Sequence, residues 1–360
     1  MWGDIAIAFL LAFVTSFVAT PYTIRLAKRI GAVDRPIETR KIHKKITPRL
    51  GGLAVIAGFI VSIVYLFIVM TLENTINLKG PENYYIKLIG FFIGLVILEI
   101  VCFIDDLRGV HALVKLLAQT VAAFIVVQSG VVIDQINMTA LSQFGINEII
   151  SKIITIGWIV GITNAINLID GLDGLSSGIS LISCLSLLII FSLNGSPIIA
   201  TILVTALAGG IVGFMPFNVN PAKTFIGDTG TNFLGYSLSI ISILGVAKTY
   251  TAIVLIAPLI ILALPICDTI FAIFRRIIKE KSIKAIFNAD NGHIHHRLMK
   301  KGYTQKQAVF ILYGISAVFG MFAIILLESG LWKAISFALI VIAIAMIGYK
   351  DILKVKDEEI

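Results

Sequence analysis

The sequence predicts an all-α protein, a polytopic integral membrane helix bundle with about eleven transmembrane helices. The chain has 360 residues, of which 58% are hydrophobic and only 14% are charged. A soluble protein of this length needs more polar surface than that composition supplies. The apolar residues also form runs of roughly 18–25 residues, the length that crosses ~30 Å of hydrocarbon as a helix. Because hydrocarbon offers the backbone no other hydrogen-bond partners, each run is expected to be helical.

The first run, from Ile5 to Ala19, has no basic segment before it and no small-residue cleavage site after it, so we interpret it as a retained helix. Pro265 lies inside the ninth run and is expected to kink or break that helix. The segments between runs are too short for a separate domain, so residues 1–360 are expected to form a single transmembrane domain. In chain order, the expected spans lie near residues 3–24, 50–72, 86–104, 111–131, 149–168, 175–193, 198–216, 231–247, 251–274, 308–327 and 332–349.

The distribution of Lys and Arg predicts the orientation of these helices. With eleven spans, 24 of the 29 Lys and Arg residues fall on one side of the membrane. That side is expected to be cytoplasmic, which puts the N-terminus outside and the C-terminus in the cytoplasm. The formal charge of +8 favours anionic membrane lipids and phosphorylated substrates as partners. The basic residues form no recognisable nucleic-acid module, so no nucleic-acid partner is expected.

Polar clusters interrupt the apolar chain, and all of them fall on the predicted cytoplasmic side. The active site is therefore expected on the cytoplasmic loops 25–49, 105–115, 164–175, 217–230 and 275–307. Asp105 and Asp106 end the third span, and Lys115 follows at the start of the fourth. Carboxylates near hydrocarbon are costly and are candidates for function. An acidic helix terminus paired with Arg108 explains Asp105 and Asp106 equally well when they are considered alone.

The segment from Asn164 to Gly174 gives the most specific pattern. Asn164, Asn167, Asp170 and Asp173 recur every three residues, which would line one edge of a helix near its end. Helix capping explains one or two such residues but not four. Their oxygens suit a hard cation such as Mg²⁺, or the hydroxyl and amide groups of a sugar.

A second acidic motif, Phe225-Ile-Gly-Asp228-Thr-Gly, precedes the eighth span. Alone, Asp228 fits ordinary helix capping. Beside the other clusters, a metal-ligand role becomes the better interpretation, because Mg²⁺ commonly takes only one or two protein oxygens in addition to substrate phosphates.

Histidines concentrate in the last long polar loop. His293, His295, His296 and Arg297 lie within five positions. No cysteine and no His-x-x-x-His pair accompanies them, so phosphate recognition is favoured over zinc. The first loop adds a cationic run that includes Lys44 and Lys45 and ends before Gly51-Gly52. That run is either a positive flank of the membrane or a clamp for phosphates.

These motifs, in this order, resemble the polyprenyl-phosphate N-acetylhexosamine-1-phosphate transferases, which belong to glycosyltransferase family 4. The resemblance covers nearly the whole chain. Asp34-Arg35-Pro36, Pro48-Arg-Leu-Gly-Gly52 and His293-Ile-His-His-Arg297 are most similar to the branch that begins teichoic acid, O-antigen and enterobacterial common antigen synthesis. The peptidoglycan branch usually has Gly-Thr-Pro-Thr-Met-Gly-Gly in the first loop and three consecutive histidines, and the chain departs from both patterns.

The resemblance implies an Mg²⁺-dependent enzyme of the bacterial cytoplasmic membrane, with Mn²⁺ as a possible substitute, acting as a homodimer. It would transfer GlcNAc-1-phosphate from UDP-GlcNAc to undecaprenyl phosphate and release UMP. Asn167 and Asp228 would bind the metal, and Asp105 and Asp106 would orient or deprotonate the lipid phosphate. Phosphates and sugar would be bound by the remaining candidates, which are Lys44, Lys45, Lys115, Asn164, Asp170, Asp173, His293, His295, His296 and Arg297.

Three alternatives remain at this stage. The same chemistry with another UDP-sugar, such as UDP-MurNAc-pentapeptide, needs only a different sugar pocket. A double displacement through an aspartyl-phosphate on Asp105 or Asp106 competes with the single displacement that we prefer. A secondary transporter would place its polar residues near the midplane of the bilayer and would show inverted repeats. The clusters instead lie at one face, and the sequence has no visible repeat.

Overall fold

A computed structural model describes residues 2–36, 45–73, 83–133, 146–246, 252–282 and 292–358, and within these ranges the fold is almost entirely helical. Two short strands of two residues each pair in antiparallel fashion, with Val33 opposite Pro48 and Asp34 opposite Thr47. The elements are α1 (Trp2–Ile30), β1 (Val33–Asp34), β2 (Thr47–Pro48), α2 (Gly52–Leu72), α3 (Tyr84–Arg108), α4 (Ala112–Gln128), α5 (Ile146–Ile169), α6 (Leu175–Leu193), α7 (Ile198–Asn218), α8 (Gly227–Val246), α9 (Ala252–Ile261), α10 (Ala263–Glu280), α11 (Ile294–Lys300), α12 (Gln305–Ser329) and α13 (Leu331–Glu358).

Seven helices in the described part of the chain are long and apolar enough to cross a membrane. They are α1, α2, α3, α5, α6, α7 and α12; α4 and the first half of α13 are apolar but shorter. The prediction of an all-helical protein with several apolar spans is thus confirmed. Each of the eleven predicted spans coincides with one or two helices. The number of membrane crossings, and the side of the membrane on which each terminus lies, remain predictions.

The ninth predicted span is two helices rather than one. The helix α9 ends at Ile261, and α10 begins at Ala263 after a break at Leu262. Pro265 is the physical reason, because proline lacks a backbone N–H and its ring clashes with the carbonyl four residues earlier, which here is that of Ile261. The break was expected near Pro265, and it occurs one turn before it.

The helix α7 forms the centre of the bundle, since 83% of the residues in its most apolar stretch are buried. Side chains added at Gly209 and Gly213 would collide with the backbone of α1 at Phe9 and Phe13, so these glycines allow the two helices to touch closely. Around this centre, α3, α5, α6 and α7 all pack against α8. The start of α8 is thereby surrounded by the ends of other helices.

The strand β2 and the start of α2 are fixed to the segment that leads into α8. The backbone N–H groups of Gly51 and Gly52 donate to the carbonyls of Phe225 and Ile226 at 3.0 and 2.8 Å. A Cβ on Gly52 would collide with Gly230 in the first turn of α8. The Gly-Gly pair therefore brings the residue just before it, Arg49, next to α8.

Candidate active site

A cavity of about 290 Å³ opens between the loop after α5, the start of α8 and the start of α12. Four aspartates line it, namely Asp34, Asp170, Asp173 and Asp228. Asn167 and His296 contribute further polar groups to its walls. Five of the residues selected from separate sequence motifs thus share one cavity.

Asp106 caps the start of α8 from the neighbouring helix α3. Its Oδ1 accepts a hydrogen bond from the backbone N–H of Asp228 at 2.9 Å. Its Oδ2 accepts from the backbone N–H and the hydroxyl of Thr229 at 3.0 and 2.6 Å. These are among the N–H groups that a helix leaves unpaired at its first turn. The Asp106 side chain has no exposed surface, so it fixes the position of α8 and does not face the cavity.

Asp228 lies between two cations. The Lys115 Nζ atom is 3.2 Å from Asp228 Oδ1, and the Arg49 Nη2 atom is 3.1 Å from Asp228 Oδ2. Burial disfavours the charge on Arg49, but the carboxylates of Asp106 and Asp228 outweigh burial and raise the pKa of Arg49. Each oxygen of the Asp228 carboxylate therefore has its own cationic partner.

Asp105 joins the same group of charges through Lys115. The Lys115 Nζ atom is 2.9 Å from Asp105 Oδ2, and the backbone N–H of Val110 donates to Asp105 Oδ1 at 2.6 Å. The helix α3 ends at this point because Gly109 adopts a φ of +73°, which favours glycine. Lys115 consequently links the end of α3 to the first turn of α8.

The residues that recur every three positions, from Asn164 to Asp173, do not line one edge of a helix, because α5 ends at Ile169. Asn164 and Asn167 belong to the helix, whereas Asp170 and Asp173 lie in the loop that follows. Asn167 Oδ1 accepts from the hydroxyl of Thr231 in α8 at 2.9 Å. The loop ends at Gly174, whose φ of +76° favours glycine and which precedes the first residue of α6.

Asn164 does not line the cavity and belongs to a chain of hydrogen-bonded side-chain amides. Its Nδ2 donates to Gln119 Oε1 at 2.5 Å, and Gln119 Nε2 donates to Asn232 Oδ1 at 2.8 Å. Asn232 Nδ2 in turn donates to the Asp228 carbonyl at 2.8 Å. This network joins α4, α5 and α8 beneath the site.

The loop carboxylates are held in different ways. Asp173 Oδ2 accepts from the Asn220 side-chain amide at 2.8 Å and from the Ala222 N–H at 3.1 Å. Asp170 Oδ1 accepts from the Ser176 hydroxyl at 2.7 Å. Burial raises the pKa of Asp170 to about 7, although the Ser176 hydroxyl opposes this shift. Near neutral pH, Asp170 can therefore both donate and accept hydrogen bonds in the cavity.

The histidine loop contributes unequally. His293 Nδ1 lies 2.8 Å from Asp268 Oδ2 in α10, which holds the start of α11 against that helix. His295 is buried, and its ring nitrogens have no hydrogen-bond partner among the described residues. Burial lowers the pKa of His295 to about 3, so the ring is neutral. A Cβ on Gly171 would overlap this ring, so the loop after α5 packs directly on His295.

The remaining predicted residues lie outside the cavity lining. Lys45 and Arg297 are exposed, and Lys44 falls outside the described residues. Two important residues were not singled out from the sequence. Arg49 was considered only within the cationic run and the Pro48–Gly52 motif and was given no role of its own. Gln119 was not considered, although a polar residue within an apolar span is a signal of function.

A divalent cation fits this donor set. In the described ranges, no three His, Cys, Asp or Glu side chains are grouped so as to hold a metal ion. Asn167 and Asp228 nevertheless line the same cavity, and both are linked to Thr231 by hydrogen bonds. One amide and one carboxylate oxygen suit Mg²⁺ that completes its coordination with water and phosphates. They do not suit a closed zinc site.

Comparison with known proteins agrees with this chemistry. Residues 88–246 match the family model described as glycosyl transferase family 4. A probable undecaprenyl-phosphate N-acetylglucosaminyl 1-phosphate transferase of Bacillus subtilis is 38% identical, over 94% of this chain and 89% of that protein. A decaprenyl-phosphate N-acetylglucosaminephosphotransferase of Mycolicibacterium smegmatis is 29% identical, over 95% and 87%. A phospho-N-acetylmuramoyl-pentapeptide-transferase of a Wolbachia strain from Drosophila simulans is 30% identical, over 88% and 97%.

Proposed function

Because this chain belongs to glycosyl transferase family 4, we propose that it transfers GlcNAc-1-phosphate from UDP-GlcNAc to undecaprenyl phosphate. The products are undecaprenyl-diphosphate-GlcNAc and UMP. This is the first membrane step in making a cell-envelope polysaccharide, such as teichoic acid or O-antigen. The proposal places the enzyme in the bacterial cytoplasmic membrane, as a homodimer, with its site facing the cytoplasm.

The observation that carries the proposal is the position of Asp228 between two cations, at the edge of a cavity with further carboxylates. Phosphoryl transfer requires mainly positioning and charge neutralisation, which a divalent ion and nearby cations provide. The similarity to the B. subtilis transferase supports the choice of UDP-GlcNAc and undecaprenyl phosphate over other substrates of this chemistry.

In the reaction, an oxygen of the lipid phosphate forms a bond to the β-phosphorus of UDP-GlcNAc. The bond from that phosphorus to the oxygen bridging the two phosphates breaks, and UMP leaves with the electron pair. Lys115, which pairs with Asp105, is proposed to neutralise phosphate charge. A bound Mg²⁺ or Mn²⁺, held by Asn167 and Asp228, would supply the remaining neutralisation of the leaving phosphate.

The two adjacent aspartates are proposed to have different tasks. Both oxygens of Asp106 are engaged at the start of α8, which supports a positioning role. Asp105 lies closer to Lys115, and its oxygens are engaged by that lysine and by the Val110 N–H. These contacts favour a single displacement, in which neither carboxylate carries a phosphoryl group.

The cavity residues are proposed to bind the nucleotide sugar. Asp170 and Asp173 can accept hydrogen bonds from it, and His296 faces the same space. The packing of His295 on Gly171 supports a role for the histidine loop in shaping this pocket.

An assay with purified protein tests the proposal. Undecaprenyl phosphate and Mg²⁺ are supplied with UDP-GlcNAc, UDP-GalNAc or UDP-MurNAc-pentapeptide in turn, and UMP and the lipid product are measured. We expect the highest kcat/KM with UDP-GlcNAc. Turnover with UDP-MurNAc-pentapeptide alone would instead assign the chain to the peptidoglycan reaction.

A further inference from the structure

Arg49 makes contacts that the proposed reaction does not yet explain. Its Nη2 is 3.1 Å from Asp228 Oδ2, and its Nε is 3.5 Å from Asp106 Oδ1. One third of its side chain is exposed, and it lines the cavity. Arg49 thus occupies one oxygen of the carboxylate that would hold the divalent ion.

The charges around Asp228 suggest that Arg49 is a temporary partner. Asp106 has three hydrogen-bond donors at the start of α8, so it does not depend on the longer contact with Arg49. Lys115 is held by two carboxylates at 2.9 and 3.2 Å, with only 20% of its side chain exposed. Arg49 also contacts two carboxylates, but one of its contacts is as long as 3.5 Å, its side chain is the more exposed of the two cations, and it lines the cavity. Arg49 is therefore the cation that can turn toward a ligand there.

A divalent ion at Asp228 would compete with Arg49 for the same oxygen and would be repelled by its charge. A diphosphate removes this conflict, because it adds negative charge and offers oxygens that match the planar fork of a guanidinium. Arg49 can then exchange one anionic partner for another without losing its charge neutralisation.

We propose that Arg49 occupies Asp228 in the absence of substrate and moves to the diphosphate of the nucleotide sugar, so that the divalent ion and the nucleotide bind cooperatively. This inference rests on the proposed function, because it takes a diphosphate as the ligand. It makes Arg49 a substrate-binding residue, and it makes tight metal binding dependent on the nucleotide.

The test measures binding without turnover, in the absence of undecaprenyl phosphate. The affinity for Mn²⁺ alone is measured by electron paramagnetic resonance, and the affinity for UDP-GlcNAc is measured with and without Mn²⁺. The variants are Arg49→Gln and Arg49→Lys. Arg108→Gln is the control, because it also removes one positive charge near the site. Arg108 is an exposed residue at the C-terminal end of α3, two residues after Asp106. Size-exclusion profiles and thermal unfolding check that each variant folds.

For the wild type, we expect Mn²⁺ to strengthen UDP-GlcNAc binding by roughly tenfold or more, within the usual range for coupled sites. Arg49→Gln should bind Mn²⁺ alone several-fold more tightly, bind UDP-GlcNAc about tenfold more weakly, and lose most of the coupling. Arg49→Lys should keep the wild-type affinity for Mn²⁺ but bind UDP-GlcNAc more weakly, because the two-pronged contact is lost. Arg108→Gln should match the wild type in both measurements.

Unchanged or weaker Mn²⁺ binding by Arg49→Gln, relative to Arg108→Gln, would overturn the inference. If Arg49→Gln does not fold, wild-type binding of UDP-GlcNAc by Arg49→Lys would overturn it. Failure of the proposed function looks different, because the wild-type protein itself would then fail to bind UDP-GlcNAc or to release UMP.

Discussion

Asp106 and Asp228 make different contacts that their motifs alone do not distinguish. Both are acidic residues at helix ends, and the sequence suggested a direct chemical role for each. Their contacts differ, because Asp106 accepts hydrogen bonds from the first turn of α8 whereas Asp228 lines the cavity. The difference depends on which helix end lies opposite Asp106, and that is decided by packing between segments distant in sequence.

Replacing the proposed metal ligand should abolish the reaction but not the fold. In Asp228→Asn, the backbone N–H that donates to Asp106 is retained, while the anionic oxygens are lost. We expect UMP release to fall by at least ~100-fold, as for loss of a main electrostatic stabiliser, with an unchanged unfolding temperature. Glu328→Gln, an exposed carboxyl-to-amide change, is the control. Near-normal turnover of Asp228→Asn at saturating Mg²⁺ would refute the metal assignment.

Replacing the cap of α8 should affect stability as well as activity. In Asp106→Asn, an amide group replaces one acceptor oxygen and leaves a buried N–H of α8 unpaired, at a cost of about 1–3 kcal/mol. We expect a drop of several degrees in the unfolding temperature in detergent, together with a lower kcat. Thr229→Val, which removes one of the three donors to Asp106, should give a smaller drop. Loss of activity with an unchanged unfolding temperature would show that Asp106 acts in the chemistry and not in positioning.

At the level of elements, the loop after α5 and the short helix α11 form one wall of the site. The contact between Gly171 and His295 joins them and leaves no room for a side chain at position 171. The spacing of Asn164, Asn167, Asp170 and Asp173 predicted that all four lie along one edge of a helix. Asp170 and Asp173 instead lie in the loop between α5 and α6. Spacing shows which residues belong together, whereas the path of the loop depends on tertiary packing, here of Gly171 on His295.

A methyl group on Gly171 should therefore disturb substrate binding selectively. In Gly171→Ala, the added Cβ overlaps the His295 ring and must displace the histidine loop. We expect the KM for UDP-GlcNAc to rise by about tenfold or more, with a smaller change in the KM for undecaprenyl phosphate, since a tenfold change corresponds to only about 1.4 kcal/mol. Gly157→Ala, at an open position on the same α5 helix, should leave both constants unchanged. Identical kinetics for the two variants would exclude this packing role.

For the whole molecule, the sequence predicted the class of fold well and its details less well. Long apolar runs leave few alternatives to membrane helices, and among the described residues seven helices are long and apolar enough to cross a membrane. The break between α9 and α10 was expected from Pro265, since proline acts locally. The β1–β2 ladder and the capping of α8 by Asp106 were not predicted, because each depends on contacts between distant parts of the chain.

The predicted topology can be tested by chemical labelling of intact cells. Single cysteines are introduced at Lys45, Arg108 and Ser196 in a variant without Cys267, the exposed cysteine. The distribution of basic residues predicts that a membrane-impermeant maleimide labels position 196 directly and labels positions 45 and 108 only after permeabilisation. Labelling of position 45 or 108 from outside would reverse the orientation and place the site on the wrong side for a cytoplasmic nucleotide sugar.

The central claim is that a phospho-sugar, and not a sugar alone, moves from the nucleotide to the lipid. The most direct measurement follows phosphorus-32 placed in the β-phosphate of UDP-GlcNAc, with purified protein, undecaprenyl phosphate and Mg²⁺. The proposed mechanism predicts that the label appears in the lipid product and that the released UMP carries none. Release of labelled UDP, with an unlabelled lipid product, would contradict it, because the bond broken would then be the one between the sugar and the phosphate.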